Sequence, residues 1–219
     1  AAGLANASLG PATPDTPDPY LVRADPDGDP VWARTYQPAL PDGRANALTR
    51  FGDGHVVAGS GVVDGRERPW VARVDAVGTR TWAWHGDRTG NATAAVGLET
   101  GAVVGGSTWP QEAETARERA SGEAAWVAGL PADGDIDWRW HTDGEDGDRV
   151  EALAPGPDGG VVAVGRRGFA AEDRGVGWLV ALDADGRRLW GRTYPQAVWN
   201  WHHDIAPVGD GYVLAGTRE

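Results

Sequence analysis

WLVALDADGRRLWGRTY, residues Trp178–Tyr194, is one of four stretches of this chain that align without a gap. The others are YLVRADPDGDPVWARTY from Tyr20, WVARVDAVGTRTWAWHG from Trp70 and WVAGLPADGDIDWRWHT from Trp126. Each opens on an aromatic residue, carries glycine eight residues later (Gly28, Gly78, Gly134, Gly186) and tryptophan four after that (Trp32, Trp82, Trp138, Trp190). A second unit separates the copies: an apolar run, a glycine turn and a small-residue stretch. Its turn glycines are Gly54, Gly101, Gly160 and Gly211, and it closes on Gly59, Gly106, Gly165 and Gly216. The aromatic starts recur every 50–56 residues, the mark of a repeat architecture.

Each unit reads as a β-hairpin. In the first kind, a strand such as Trp178–Asp183 pairs with Arg188–Tyr194 across a turn centred on Asp185-Gly186, where glycine supplies a positive φ. Trp178, Val180 and Leu182 point to one face and Leu179 and Ala181 to the other, so both faces are apolar and both must be covered. Four-stranded sheets stacked radially meet that demand, and Ala58, Gly59, Ala215 and Gly216 suit strands crowded near an axis. The expected fold is all-β: a four-bladed β-propeller of four-stranded antiparallel blades. Three whole blades fall at about 44–86, 92–142 and 149–194. The fourth is assembled from both ends, 203–218 with 20–36, which closes the ring and leaves no open edge. A fragment of a larger propeller is the other architecture this arithmetic allows.

The stretch WLVALDADGRRLW, followed by an apolar run and GYVLAG, resembles the repeat of propellers of the pyrroloquinoline-quinone (PQQ) type. The resemblance covers residues 20–219 and is clearest in the first and fourth copies; in the third, Pro131 replaces the strand-end aspartate. Quinone dehydrogenases of that family imply an eight-bladed ring, a calcium-held quinone and a disulfide between adjacent cysteines. This chain has half the length and no cysteine, so no catalytic residue carries over. The non-catalytic relatives imply a scaffold or binding platform.

Composition narrows the chemistry. The 219 residues include no cysteine and no lysine, which excludes disulfides, thiol nucleophiles, a P-loop lysine and a Schiff base. Only four serines occur, none in a G-x-S-x-G elbow. The net charge of −12, from 32 Asp+Glu against 20 arginines, opposes contact with nucleic acid or anionic membranes. Such an acidic, lysine-free chain resembles proteins of halophiles, although a GC-rich genome also favours these codons. No run is long enough for a membrane span. Residues 1–19, rich in Ala and Pro, read as a flexible tail. The start on Ala-Ala and the sequons at Asn6 and Asn91 suggest a secreted, extracellular or cell-surface glycoprotein.

Three sets of residues are candidates for contact chemistry. Asp25, Asp27 and Asp29 alternate in a tight loop and are the place to test for calcium, the one cofactor considered, although the same turn recurs at Asp75 and Asp183 without the full ligand count, which favours simple turn chemistry. His202, beside His203 and Asp204, is a second candidate, but neighbours along a strand point opposite ways and do not readily share a metal. Trp109, Trp199 and Trp201 stand outside the repeat, on the long connections Ser107–Ala125 and Pro195–Trp201. Tryptophans on loops anchor protein or sugar contacts, or plug a channel. Two further long connections are expected at Ser60–Pro69 and Arg166–Gly177, and Gln111–Ala120 reads as a short charged helix. The expected function is a non-catalytic extracellular scaffold or protein-interaction module, self-associating or binding protein partners. The alternatives are a lectin-like propeller that binds glycans and an enzyme using carboxylates.

Overall fold

The β-branched and aromatic runs of the sequence pair antiparallel, neighbour with neighbour, throughout the computed structural model, which describes residues 2–5, 18–36, 43–113, 115–143, 147–168, 175–194 and 200–218. The first sheet holds β1 (Ala2–Ala5), β2 (Asp18–Ala24) and β3 (Pro30–Thr35). The second holds β4 (Arg44–Phe51), β5 (Gly54–Val63), β6 (Arg66–Val74) and β7 (Arg80–His85). In the third are β8 (Gly90–Gly97), β9 (Ala102–Thr108), β10 (Ala124–Leu130) and β11 (Trp138–His141), with helix α1 (Ala116–Ser121) between β9 and β10. The fourth is β12 (Arg149–Pro155), β13 (Val161–Arg167), β14 (Val176–Leu182) and β15 (Arg188–Tyr194). The fifth is the pair β16 (Asn200–Val208) and β17 (Gly211–Arg218).

Because the strands are apolar on both faces, the sheets stack. The first packs on the second around Leu21, Tyr36, Val57 and Trp70. The second meets the third around Val56, Val71, Val104 and Leu130. The third meets the fourth around Val127, Val150, Ala163 and Trp178, and the fourth meets the fifth around Val162, Leu179 and Ile205. The fold is therefore all-β, a succession of four-stranded antiparallel sheets flanked by a three-stranded and a two-stranded sheet.

Three repeated devices set this geometry. First, the outer hairpins turn on Gly28, Gly78, Gly134 and Gly186, at φ of 92°, 81°, 91° and 77°, as their positions in the repeat require. The preceding aspartate tightens three of these turns: Asp25, Asp75 and Asp183 each accept two backbone N–H groups through Oδ1 at 2.8–3.0 Å. Pro131 has no carboxylate, and the third turn keeps a backbone bond from Gly134 to the Pro131 carbonyl, at 3.1 Å. Second, three of the four turn glycines, Gly78, Gly134 and Gly186, receive a tryptophan from the sheet before them. A Cβ at Gly78, Gly134 or Gly186 would stand no more than 3.0 Å from Trp32, Trp82 or Trp138 respectively.

The third device is a β-bulge. The innermost strands bulge at Asn46, Thr93, Glu151 and His203, opposite the glycines that close the second unit. Asn46 Nδ2 donates to the Ala92 carbonyl at 2.9 Å and Thr93 Oγ1 to the Val150 carbonyl at 2.6 Å. The bulges at Asn46 and Thr93 thus tie the second sheet to the third and the third to the fourth.

Two connections differ from the reading above. Ser60–Pro69 is strand rather than loop: β5 and β6 run on to a turn at Asp64-Gly65, with φ of 51° and 73°. The charged helix is shorter than Gln111–Ala120 and is α1, begun by a capping box between Thr115 and Glu118. In the stretch read as a tail, Ala2–Ala5 forms β1 and pairs with Asp18–Leu21, while residues 6–17 lie outside the described residues.

Candidate functional site

A groove of about 600 Å3 runs along the seam between the second and third sheets. The seam itself creates it. Trp84, at the end of β7, faces Trp126, at the head of β10, with ring centroids 6.2 Å apart and planes inclined by 58°. Trp109 enters from the connection carrying α1; it is 9% exposed, and its backbone N–H donates to the Thr89 carbonyl at 3.0 Å. Trp140 completes the wall from β11 and packs on Trp178 at 6.0 Å. Two guanidinium groups lie over these rings: Arg139 at 5.8 Å from the Trp84 centroid and Arg119 at 5.5 Å from that of Trp109. Asp87, Arg88, His141 and Asp143 line the rim. The surface is aromatic at its centre and carries both signs of charge at its border.

Of the tryptophans singled out by sequence, Trp109 belongs to this groove. Trp199 lies outside the described residues. Trp201 is half-buried on β16, where its indole N–H meets His203 Nε2, with the rings edge-on at 5.7 Å. His202 points to the opposite side and stacks edge-on with Tyr194 at 5.4 Å. Among the described residues its buried Nε2 has no hydrogen-bond partner. Burial, with a smaller contribution from His203, pushes the His202 pKa below the ordinary imidazole range. Trp84, Trp126 and Trp140 lie inside the aligned stretches, so the search for tryptophans outside the repeat passes over them; the signal available is that Trp84 and Trp140 replace Arg34 and Arg192 of the other copies.

The aspartates of the first turn are exposed, with Asp25 Oδ1 engaged by the amides of Asp27 and Asp29. Among the described residues no group of three or more His, Asp or Glu side chains is placed to hold a metal. Asn91 is half-buried in β8: its side-chain amide lies 3.2 Å from Ser107 Oγ, and its backbone carbonyl accepts from Trp126 Nε1 at 3.1 Å. Thr93, the hydroxyl residue of that sequon, donates to Val150. Asn6 lies outside the described residues.

A charged cluster joins the third and fourth sheets. Glu123, whose side chain is 7% exposed, accepts from Ser107 Oγ at 2.5 Å and from Arg166 at 3.1 Å. Arg166 also lies 3.9 Å from Glu151, which pairs with Arg149 at 3.3 Å. Burial lowers the Arg166 pKa and the Glu123 charge opposes that shift; a guanidinium remains charged at neutral pH regardless. Each carboxylate here faces a cation, so the cluster neutralises itself.

No helix among the described residues is long and apolar enough to cross a membrane. The chain matches no protein-family model and no curated protein.

Proposed function

We propose that the chain is a non-catalytic interaction module built on a four-bladed β-propeller of PQQ-like repeats, closed where the fifth sheet joins the first. The observation that carries the binding role is the tryptophan-walled groove, a concave surface of ligand-site size with fixed rings and a polar border.

Closure is supported by matching half-sites on the two end sheets. At Gly54, Gly101 and Gly160 a Cβ would lie under 3.0 Å from the carbonyl of Val74, Leu130 or Leu182, which belong to the third strand of each sheet. At Gly211, their counterpart, the closest atom is 4.0 Å away, because β17 has no third strand beside it. Val213 is 58% exposed, whereas its equivalents Val56, Val103 and Val162 are at most 3% exposed. Gly28 has nothing within 4 Å, while Trp190, next in the tryptophan series, lines a shallow cavity with Tyr212 and Leu214. Tyr36 donates to the Gly78 carbonyl at 2.7 Å, and Tyr194 is its counterpart one step before Gly28. Pairing Tyr212–Gly216 of β17 with Tyr20–Ala24 of β2, in the register of the other sheets, satisfies all of these. It displaces β1, which holds Tyr20 and Leu21.

The net charge of −12 supports an extracellular or cell-surface role in a saline medium. Carboxylate repulsion is screened over about 8 Å at physiological ionic strength and over less in molar salt. The melting temperature is accordingly expected to climb steeply from low to molar salt, and a flat profile contradicts the halophilic setting. The binding role is tested by immobilising the chain and exposing it to the surface fraction of its source cells. Wild type should retain a component that Trp84→Ala/Trp109→Ala does not; equal retention, with both proteins folded, removes the groove from the account. An enzyme working through paired carboxylates is less favoured, because Glu123 and Glu151 both face Arg166.

A further inference from the structure

We infer that the groove between the second and third sheets binds a neutral oligosaccharide, an inference that rests on reading the chain as a binding module. What the groove offers is set by which polar groups are already committed. The Trp126 indole N–H donates to the Asn91 carbonyl, so this residue has only its ring to offer a ligand. Trp109 is tethered through its backbone, and Arg119 already lies over its ring. Arg139 lies over Trp84 and holds a planar fork of donors beside the ring. At the border, Arg88 supplies donors and Asp87 supplies acceptors, while Asp143 lies 3.8 Å from Arg167.

Ligand classes divide on that pattern. An apolar peptide side chain fits the tryptophans but buries Asp87 or Arg88 without a partner, a costly desolvation. An anionic ligand satisfies the arginines and opposes Asp87 and the −12 of the chain. A cation meets the reverse conflict at Arg88 and Arg139. A pyranose presents C–H faces that lie on indole rings and hydroxyl edges that both donate and accept, so it can pair with every part of the groove. The volume of about 600 Å3 lies in the range of small-ligand sites and exceeds what one sugar ring fills, which favours a short chain. The walls are pre-set by strand pairing and by the capped helix, so little ordering opposes binding.

The test uses the whole chain with three probes: cellohexaose, maltohexaose and an oligogalacturonate. Binding is measured by titration calorimetry and by the indole N–H resonances. At least one neutral hexamer should bind with Kd below about 10 mM, and the anionic chain should not. Arg139→Ala and Asp87→Ala should each weaken binding about tenfold and leave the melting temperature unchanged, since both residues are exposed. No binding of either neutral hexamer, binding of the galacturonate alone, or binding that both variants leave intact overturns the inference. If surface-fraction capture still depends on Trp84 and Trp109 while both hexamers fail, the module reading stands and the sugar assignment falls.

Discussion

Gly211→Val is expected to cost about 3 kcal/mol of folding stability, as much as the same change at Gly160. At Gly160 the reason is direct: a side chain collides with the Leu182 carbonyl of the adjoining strand, and backbone has nowhere to retreat. At Gly211 the collision exists only if β2 lies beside β17, with the Ala24 carbonyl where Leu182 stands in the fourth sheet. The φ of Gly211 is not positive. On an unpaired edge, valine would therefore cost nothing and could add up to about 1 kcal/mol through its β propensity. Chemical denaturation of the two variants reads the difference, and a neutral or stabilising Gly211→Val beside a damaging Gly160→Val contradicts closure.

Arg166→Ala should destabilise the fold by about 3–5 kcal/mol, because it strands the Glu123 carboxylate in the seam between the third and fourth sheets. For a chain of this size that lowers the melting temperature by roughly 10 °C. Replacing both partners with apolar residues of similar volume, Arg166→Met with Glu123→Leu, should recover most of the loss, since no charge is then left buried. Arg187, paired with Asp185 in an exposed turn with side chains 77% and 70% accessible, is the control. Its loss should change stability by no more than about 1 kcal/mol. Equal effects at Arg166 and Arg187 would mean that the buried cluster does not hold the sheets together.

The parts of this fold that sequence makes legible are those that each repeat settles within itself. The Asp-x-x-Gly turns, the strands apolar on both faces and the alternation that separates Trp201 from His202 all follow from local rules. Sequence offers crowding near an axis as the reason for Gly59 and Gly216; the structure adds a local one, since Gly59, Gly106, Gly165 and Gly216 each face the carbonyl of Arg44, Asn91, Arg149 or Trp201 across the hairpin, beside the bulge. The extended hairpin at Asp64-Gly65 carried a readable turn signal, which the length of the surrounding connection masked.

The groove was less accessible to sequence reasoning, because it belongs to neither sheet alone. Trp84 and Trp126 lie 42 positions apart and become a site only when two repeats stack. Trp109 lies outside the repeat, and Trp84 and Trp140 stand where the first and fourth copies carry Arg34 and Arg192, but neither departure shows in sequence that the rings converge. The ion cluster is similar: Glu123 and Arg166 are ordinary surface residues by composition, and their burial follows from the seam they share.

Closure of the ring through β2 and β17 is the central claim, and a chain without cysteine offers a clean way to test it. In the register of the other sheets Val22 stands opposite Leu214, as Ala72 does opposite Val57. Directly opposed residues of an antiparallel pair have Cα atoms about 4.5–5.5 Å apart, within disulfide reach. The measurement is mild oxidation of Val22→Cys/Leu214→Cys at low protein concentration, followed by intact mass and a non-reducing gel. The account predicts a cross-linked species of monomer mass in high yield. Persistent free thiols, or disulfides found only in dimers, would contradict it.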